Sequence, residues 1–259
     1  ANVGTGFRAP YGFSEDLHLC SGSPRVWKSS NLKGERAISY NLSADYYAKK
    51  YQFSINIFRT NLKDKIQFSP ADDEVKKFGY SYQWENVDDA YVQGVELGAK
   101  ANLFRNFNAG INWTFNQGKF KHERADWSDP NDETVKEFPQ RLQYAKDSRN
   151  ISRFPAMTGD IDLDYTPGTW TFSLTSSLQG RMFIDYNSED DGATSKIKKT
   201  NTFMIFNCRA AKRFGTCTVY AGAKNIFSYI QDEKHTDDAA FMYAPVYGAT
   251  WYVGLSVKL

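Results

Sequence analysis

The chain has 259 residues with 16% aromatics, 24% charged residues and only 8 prolines, which excludes a disordered or low-complexity polypeptide. Its net charge is +2, with lysine and arginine scattered among aspartate and glutamate, so no basic stripe for nucleic acid is present. No run approaches the roughly 18 consecutive apolar residues of a membrane helix, and Cys20, Cys208 and Cys217 lack the C-x-x-C spacing of zinc or redox sites.

The opening "ANVGTGFRAP" has no charged segment followed by an apolar stretch and a cleavage site, so it does not read as a signal peptide. It reads as the end of a strand. In "ISYNLSADYYA", Ile38, Tyr40, Leu42, Ala44 and Tyr46 share one face, and Ser39, Asn41, Ser43 and Asp45 the other. A Lys49-Lys50 turn leads to "YQFSINIF", where Tyr51, Phe53, Ile55 and Ile57 alternate with Gln52, Ser54 and Asn56. "VQGVELGAKANL" and "FNAGINWTF" repeat the pattern around an Arg105-Asn106 turn, and "DIDLDY" and "WTFSLTSSL" repeat it around Pro167-Gly168. Further strands fit residues 199 to 211, 215 to 229 and 247 to 259, which makes roughly nine strands and the end of a tenth.

The connections alternate between two classes. Tight turns near residues 49, 105, 167 and 213 are separated by long polar loops at about 11–34, 69–78, 122–153, 185–198 and 230–246. Outer-membrane barrels have this asymmetry, with short turns on the periplasmic side and long loops outside. Aromatics cluster beside the short turns: Tyr46, Tyr47 and Tyr51; Phe104 and Phe107; Tyr165 and Trp170; Phe214. An interfacial girdle sits at that level. A soluble β-sandwich has equally apolar inner faces, but strands of about 10 to 15 residues are long for a globular sheet and suit tilted spanning strands. The fold class expected is therefore all-β, an antiparallel transmembrane barrel portion in which lipid covers the apolar face of the closing "WYVGLSVKL".

Three stretches resemble the C-terminal part of TonB-dependent outer-membrane receptors, particularly those of Bacteroidetes-type bacteria. They are "GTGFRAPYGFSEDLH" at 4–18, "NLKGERAISYNLSADYY" at 31–47 and "VQGVELGAKANL" at 92–103, with "AGAKNIFSY" at 221–229 before the last strand. The resemblance implies that 1–259 is the C-terminal portion, about ten strands, of a barrel of about 22 strands. The plug, the energy-coupling segment and the earlier strands would then lie outside the chain. It further implies a cell outer membrane location, a TonB partner engaged through an N-terminal segment, surrounding lipid, a possible surface lipoprotein, and a cargo of haem, ferric siderophore or cobalamin. "FRAP" at 7–10 is similar to haem receptors, in which an "NPNL"-like box follows; here that box is "SSNL" at 29–32, which leaves the cargo open.

The expected cargo contacts are Arg8 of "FRAP", His18 as a candidate haem-iron ligand, and Tyr80, Tyr82, Trp84 and Trp127 as rings able to stack on a flat ligand. His122 and His235 also fall in long loops, where a histidine is ordinarily solvated. Acidic groups in the same loops could hold Ca2+ or simply be solvated: Asp72, Asp73 and Glu74; Asp126, Asp129, Asp132 and Glu133; Glu189, Asp190 and Asp191; Asp237 and Asp238. Cys208 and Cys217 would lie opposite each other across a Lys212-Arg213 turn, within reach of a disulfide, whereas a turn through Gly215 would offset them. Catalysis is not expected. A barrel hydrolase is the enzymatic alternative and would draw on Ser14, Asp16 and His18, but "GxSxG" and "HExxH" are both missing; a structural or adhesive barrel is the other alternative.

Overall fold

Alternation of polar and apolar side chains over 13 to 15 residues cannot be buried on both faces, and the chain answers by forming a single long sheet. The computed structural model describes residues 1–10, 26–122, 149–186, 196–231 and 242–258. In chain order the elements are β1 (Asn2–Arg8), β2 (Val26–Lys28), β3 (Glu35–Tyr47), β4 (Tyr51–Lys63), β5 (Ile66–Pro70), the short helix α1 (Asp73–Lys76), β6 (Tyr82–Asn86), β7 (Ala90–Phe104) and β8 (Phe107–Phe120). They continue with β9 (Met157–Tyr165), β10 (Trp170–Gln179), β11 (Phe183–Tyr186), β12 (Lys196–Lys199), β13 (Phe203–Phe214), β14 (Cys217–Lys224) and β15 (Thr250–Val257). Ten of them form one sheet in the order β1-β3-β4-β7-β8-β9-β10-β13-β14-β15, every neighbouring pair antiparallel. Among the described residues no helix is long and apolar enough to cross a membrane.

The register makes the two faces continuous. Ile55 pairs with Leu97, Leu97 with Trp113, and Ile111 with Ile161, so apolar side chains line up in rows across the sheet. These side chains remain exposed: Leu42, Ile57 and Val253 are 60%, 49% and 84% accessible. In a sandwich a second sheet would cover them; among the described residues none does, as expected of a lipid-facing surface.

Three of the four expected tight turns fall where the sequence placed them. Phe104 pairs with Phe107 across Arg105 and Asn106, with Asn106 at φ +66°; the Ala48 N–H donates to the Tyr51 carbonyl at 2.8 Å; and Trp170 N–H donates to Pro167 O at 3.1 Å. The fourth lies three residues later than the Lys212-Arg213 alternative. Phe214 pairs with Cys217, so the turn is Gly215-Thr216, with Gly215 at φ +61°, a conformation that glycine adopts without a Cβ penalty.

At the long-loop end the chain builds a crown that the alternation did not foretell. A three-stranded sheet β2-β6-β5 and a two-stranded sheet β11-β12 stand there. One small core packs Ile66 and Trp84, each 2% accessible, with Val26 and Leu32. Another packs Met182, Phe203 and Tyr243 with Ile205, Tyr229 and Ala244, the Phe203 and Tyr229 rings stacked at 5.0 Å.

Candidate binding wall and loop crown

The face opposite the apolar rows is a ladder of polar pairs. Ser39 Oγ and Thr60 Oγ1 lie 2.8 Å apart, Asn41 donates to Asn2 at 2.9 Å, Asn56 to Glu96 at 2.9 Å, Asn102 to Asn108 at 3.0 Å, Asn112 to Asp160 at 2.8 Å and Ser173 to Asp164 at 2.6 Å. Each is a cross-strand neighbour in the register, so local alternation places the groups and antiparallel pairing joins them. Such a wall suits a watery or plugged lumen, where hydrogen-bonding groups retain partners. Toward the last strands rings cover the wall: the Arg209 guanidinium lies 4.4 Å over Tyr220, while Tyr220 and Tyr252 lean over Gly254 and Gly222. A methyl at Gly222 would collide with the Tyr252 ring and the Cys208 carbonyl.

Above the wall, the crown holds three of the six aromatic and basic residues expected to touch cargo, with Arg8 at the top of the wall beside them, but not as an open stacking platform. Trp84 is buried in the β5–β6 core, so its ring is unavailable to a ligand. The expectation for this residue is corrected; a large ring in a short loop strand serves best as the centre of a small core. Arg8, exposed at the end of β1, places its guanidinium 5.6 Å from the Trp84 ring centre and so joins "FRAP" to the crown. Tyr80 meets Trp27 edge-on at 5.2 Å, and Tyr82 sits in register between Val26 and Pro70. His18, Trp127, His235, Cys20, Ser14 and Asp16 lie outside the described residues.

Among the described residues no group of three or more His, Cys, Asp or Glu is placed to hold a metal ion. The first acidic cluster is otherwise engaged: Asp72 caps α1 by accepting from Val75 N–H at 2.9 Å, and Asp73 and Glu74 pair with Lys76 and Lys77. The other three acidic clusters lie outside the described residues. His122, at the top of β8, turns to Asp88: its backbone N–H donates to Asp88 Oδ2 at 2.7 Å and its Nδ1 lies 3.0 Å from Oδ1. Partial burial alone would raise the Asp88 pKa; the N–H of His122, its imidazole and the N–H of Asp89 outweigh that and hold the carboxyl below its ordinary value.

The cysteine expectation is also corrected. Cys208 pairs with Ala223 and Cys217 with Phe214, six residues apart along β13, and both thiols are free. The later turn moves them out of bonding reach, roughly 20 Å along the strand at ~3.4 Å per residue.

Sequence reasoning overlooked Asn225. It is 6% accessible at φ +51°; its amide donates to Tyr229 O at 2.7 Å and Tyr247 O at 3.1 Å, while its oxygen accepts from Tyr229 N–H at 2.9 Å. It ties the end of β14 to the segment entering β15. An asparagine where the alternation breaks, in "KNIF", was the available signal.

An antiparallel sheet with an uncovered apolar outer face, a polar inner face, tight turns at one end and a crown at the other defines part of an outer-membrane β-barrel wall. The family described as TonB dependent receptor-like, beta-barrel matches residues 1–226, and the chain belongs to that family. Its members are outer-membrane proteins of Gram-negative bacteria, and this is the location of the chain. The vitamin B12 transporter BtuB of Photobacterium profundum is 26% identical over 251 residues, covering 94% of this chain and 34% of that protein. Among solved structures, the copper transporter OprC superposes with a TM-score of 0.63 at 19% identity, covering 98% of this chain and 35% of its own. The siderophore receptor PirA from Pseudomonas aeruginosa gives 0.62 at 17%, covering 98% and 38%. These structural likenesses speak for the fold. The chain spans about a third of the length of the proteins it matches.

Proposed function

We propose that residues 1–259 are the C-terminal portion of a receptor that takes up a scarce metal complex or cobalamin by TonB-coupled active transport. The observation that carries this reading is the continuous polar inner wall beneath a structured crown, because a receptor of this kind needs a lumen that admits hydrated groups and an outer surface that collects cargo. The similarity to a vitamin B12 transporter puts cobalamin first among the cargoes, ahead of haem and ferric siderophores. Binding free energy would come from the loops, and the uphill step from the energy-coupling partner.

The test is binding of cyanocobalamin, haem and a ferric siderophore to the full-length receptor, by isothermal titration, with His18→Ala alongside. Saturable cobalamin binding unaffected by the substitution is expected. Haem binding that disappears in His18→Ala would move the cargo to haem and make His18 an iron ligand. Failure to bind any of the three would refute the uptake reading.

A further inference from the structure

The outer face is not apolar along its whole height. On β4 the outward positions run Tyr51, Phe53, Ile55, Ile57 and then Arg59, Asn61 and Lys63; on β8 they run Ile111, Trp113, Phe115 and then Gln117 and Lys119, and Lys121 just past the end of β8 lines the same groove. The parity is unbroken, so the side chains that change character still point away from the lumen. Arg59 follows Ile57 by two residues, about 7 Å along the strand, which sets it at headgroup level just above the hydrocarbon.

The cations converge. Arg36, Arg59, Lys63 and Lys121 line a groove of about 1100 Å³ across the tops of β1, β3, β4 and β7, where Thr5 and Phe7 form one side. Arg59 is held in place: its guanidinium lies 4.4 Å over the Tyr91 ring, Nε donates to Asn61 at 3.0 Å and a terminal nitrogen to Gln93 at 2.7 Å. Among the described residues none of these four cations makes an ion pair with a carboxylate. The one carboxylate in the groove, Asp89, accepts from Asp64 N–H at 3.1 Å. Directly beneath, on the same strands, an apolar trough of about 750 Å³ is lined by Phe53, Ile55, Leu97, Ile111, Trp113 and Phe115.

A cationic groove over an apolar trough, both open toward the bilayer, has the charge and polarity of an anionic lipid. We propose that this quarter of the barrel, β1 to β8, is a docking site for a phosphorylated glycolipid of the outer leaflet, with phosphate against Arg59, Lys63 and Lys121 and acyl chains along Ile55, Leu97 and Phe115. The cations form a patch and not a general rim. Outward positions at the tops of β13 and β15 are Met204, Phe206 and Trp251, and at the opposite rim Lys212 lies over Trp170 at 4.8 Å and Phe214 at 5.0 Å. The inference rests on the outer-membrane placement and is independent of the cargo.

The test is native mass spectrometry of the full-length receptor in detergent, incubated with bis-phosphorylated lipid A, with the same lipid stripped of phosphate, and with inorganic phosphate. The wild-type receptor is expected to retain lipid A about tenfold better than the stripped lipid, or about 1.4 kcal/mol. The triple variant Arg59→Gln, Lys63→Gln, Lys121→Gln should lose that preference with retention of the stripped lipid unchanged, while Lys212→Gln should behave as wild type. Equal retention of both lipids by the wild-type receptor overturns the proposal without reference to any variant. So does a Lys212→Gln loss as large as that of the triple variant, or inorganic phosphate binding without lipid preference.

Discussion

The wall and the crown are stabilised by opposite means. The wall has long strands, strict register and almost no interior of its own; its large apolar side chains are exposed until lipid meets them. The crown has strands of 3 to 5 residues, yet it contains the buried residues Ile66, Trp84, Met182 and Tyr243. Hydrogen-bonded pairing can be specified by alternation alone when a solvent of the right polarity lies on each side. A short loop sheet in water has no such help and must exclude water with a small core.

The largest separation between the two regions is expected from Trp84→Ala. Truncating a fully buried tryptophan typically costs ~3–5 kcal/mol. That is enough to open a crown with so small a core while leaving the ten-stranded wall paired. Hydrogen exchange on the full-length receptor should show lost protection across β5 and β6 and unchanged protection in β4 and β7. Equal loss in both regions would show that wall and crown fold as one unit.

A pair of arginines separates the faces of the wall. Leu97 sits in the middle of the apolar rows, and arginine there should cost ~2–4 kcal/mol in a bilayer. Thr114 faces the other way, beside Glu96 in the register, and Thr114→Arg should change stability by less than about 0.5 kcal/mol. Urea unfolding in lipid vesicles measures both. Similar costs at the two positions would invert or erase the assignment of faces.

The wall was legible because its information is local and repeats every two residues. Ile38 to Tyr46 and Tyr51 to Ile57 announce strand, face and hairpin together, and the turns at Lys49 and Arg105 needed nothing further. The Gly215 turn was less legible, since "AAKRFGT" permits two turn positions and only pairing across the hairpin selects one; the cysteine pairing failed with it. The crown was illegible for another reason. Trp84 among Tyr82, Gln83 and Glu85 has the same local pattern whether its ring faces a ligand or a core, and its partners Ile66, Val26 and Leu32 come from distant loops. The outward cations were legible in principle, as a change of chemistry on an unbroken face.

The finest test of the comparison uses pH, because the joint between crown and wall is ionised. Asp88 precedes β7 and accepts hydrogen bonds from the N–H groups of His122 and Asp89. Its pKa is lower in the folded chain than its ordinary value, so it binds a proton more weakly folded than unfolded. Its contribution to stability is therefore complete above the unfolded pKa and is lost as pH falls through the folded one, a window below about pH 4. Asp88→Asn should weaken protection at the His122 and Asp89 amides at neutral pH and remove that part of the acid dependence, while the middle of β4 and β7 keeps its wild-type profile. If the acid response is the same in both proteins, the joint is held by the backbone pairing of Lys121 with Asp89 and not by the carboxylate.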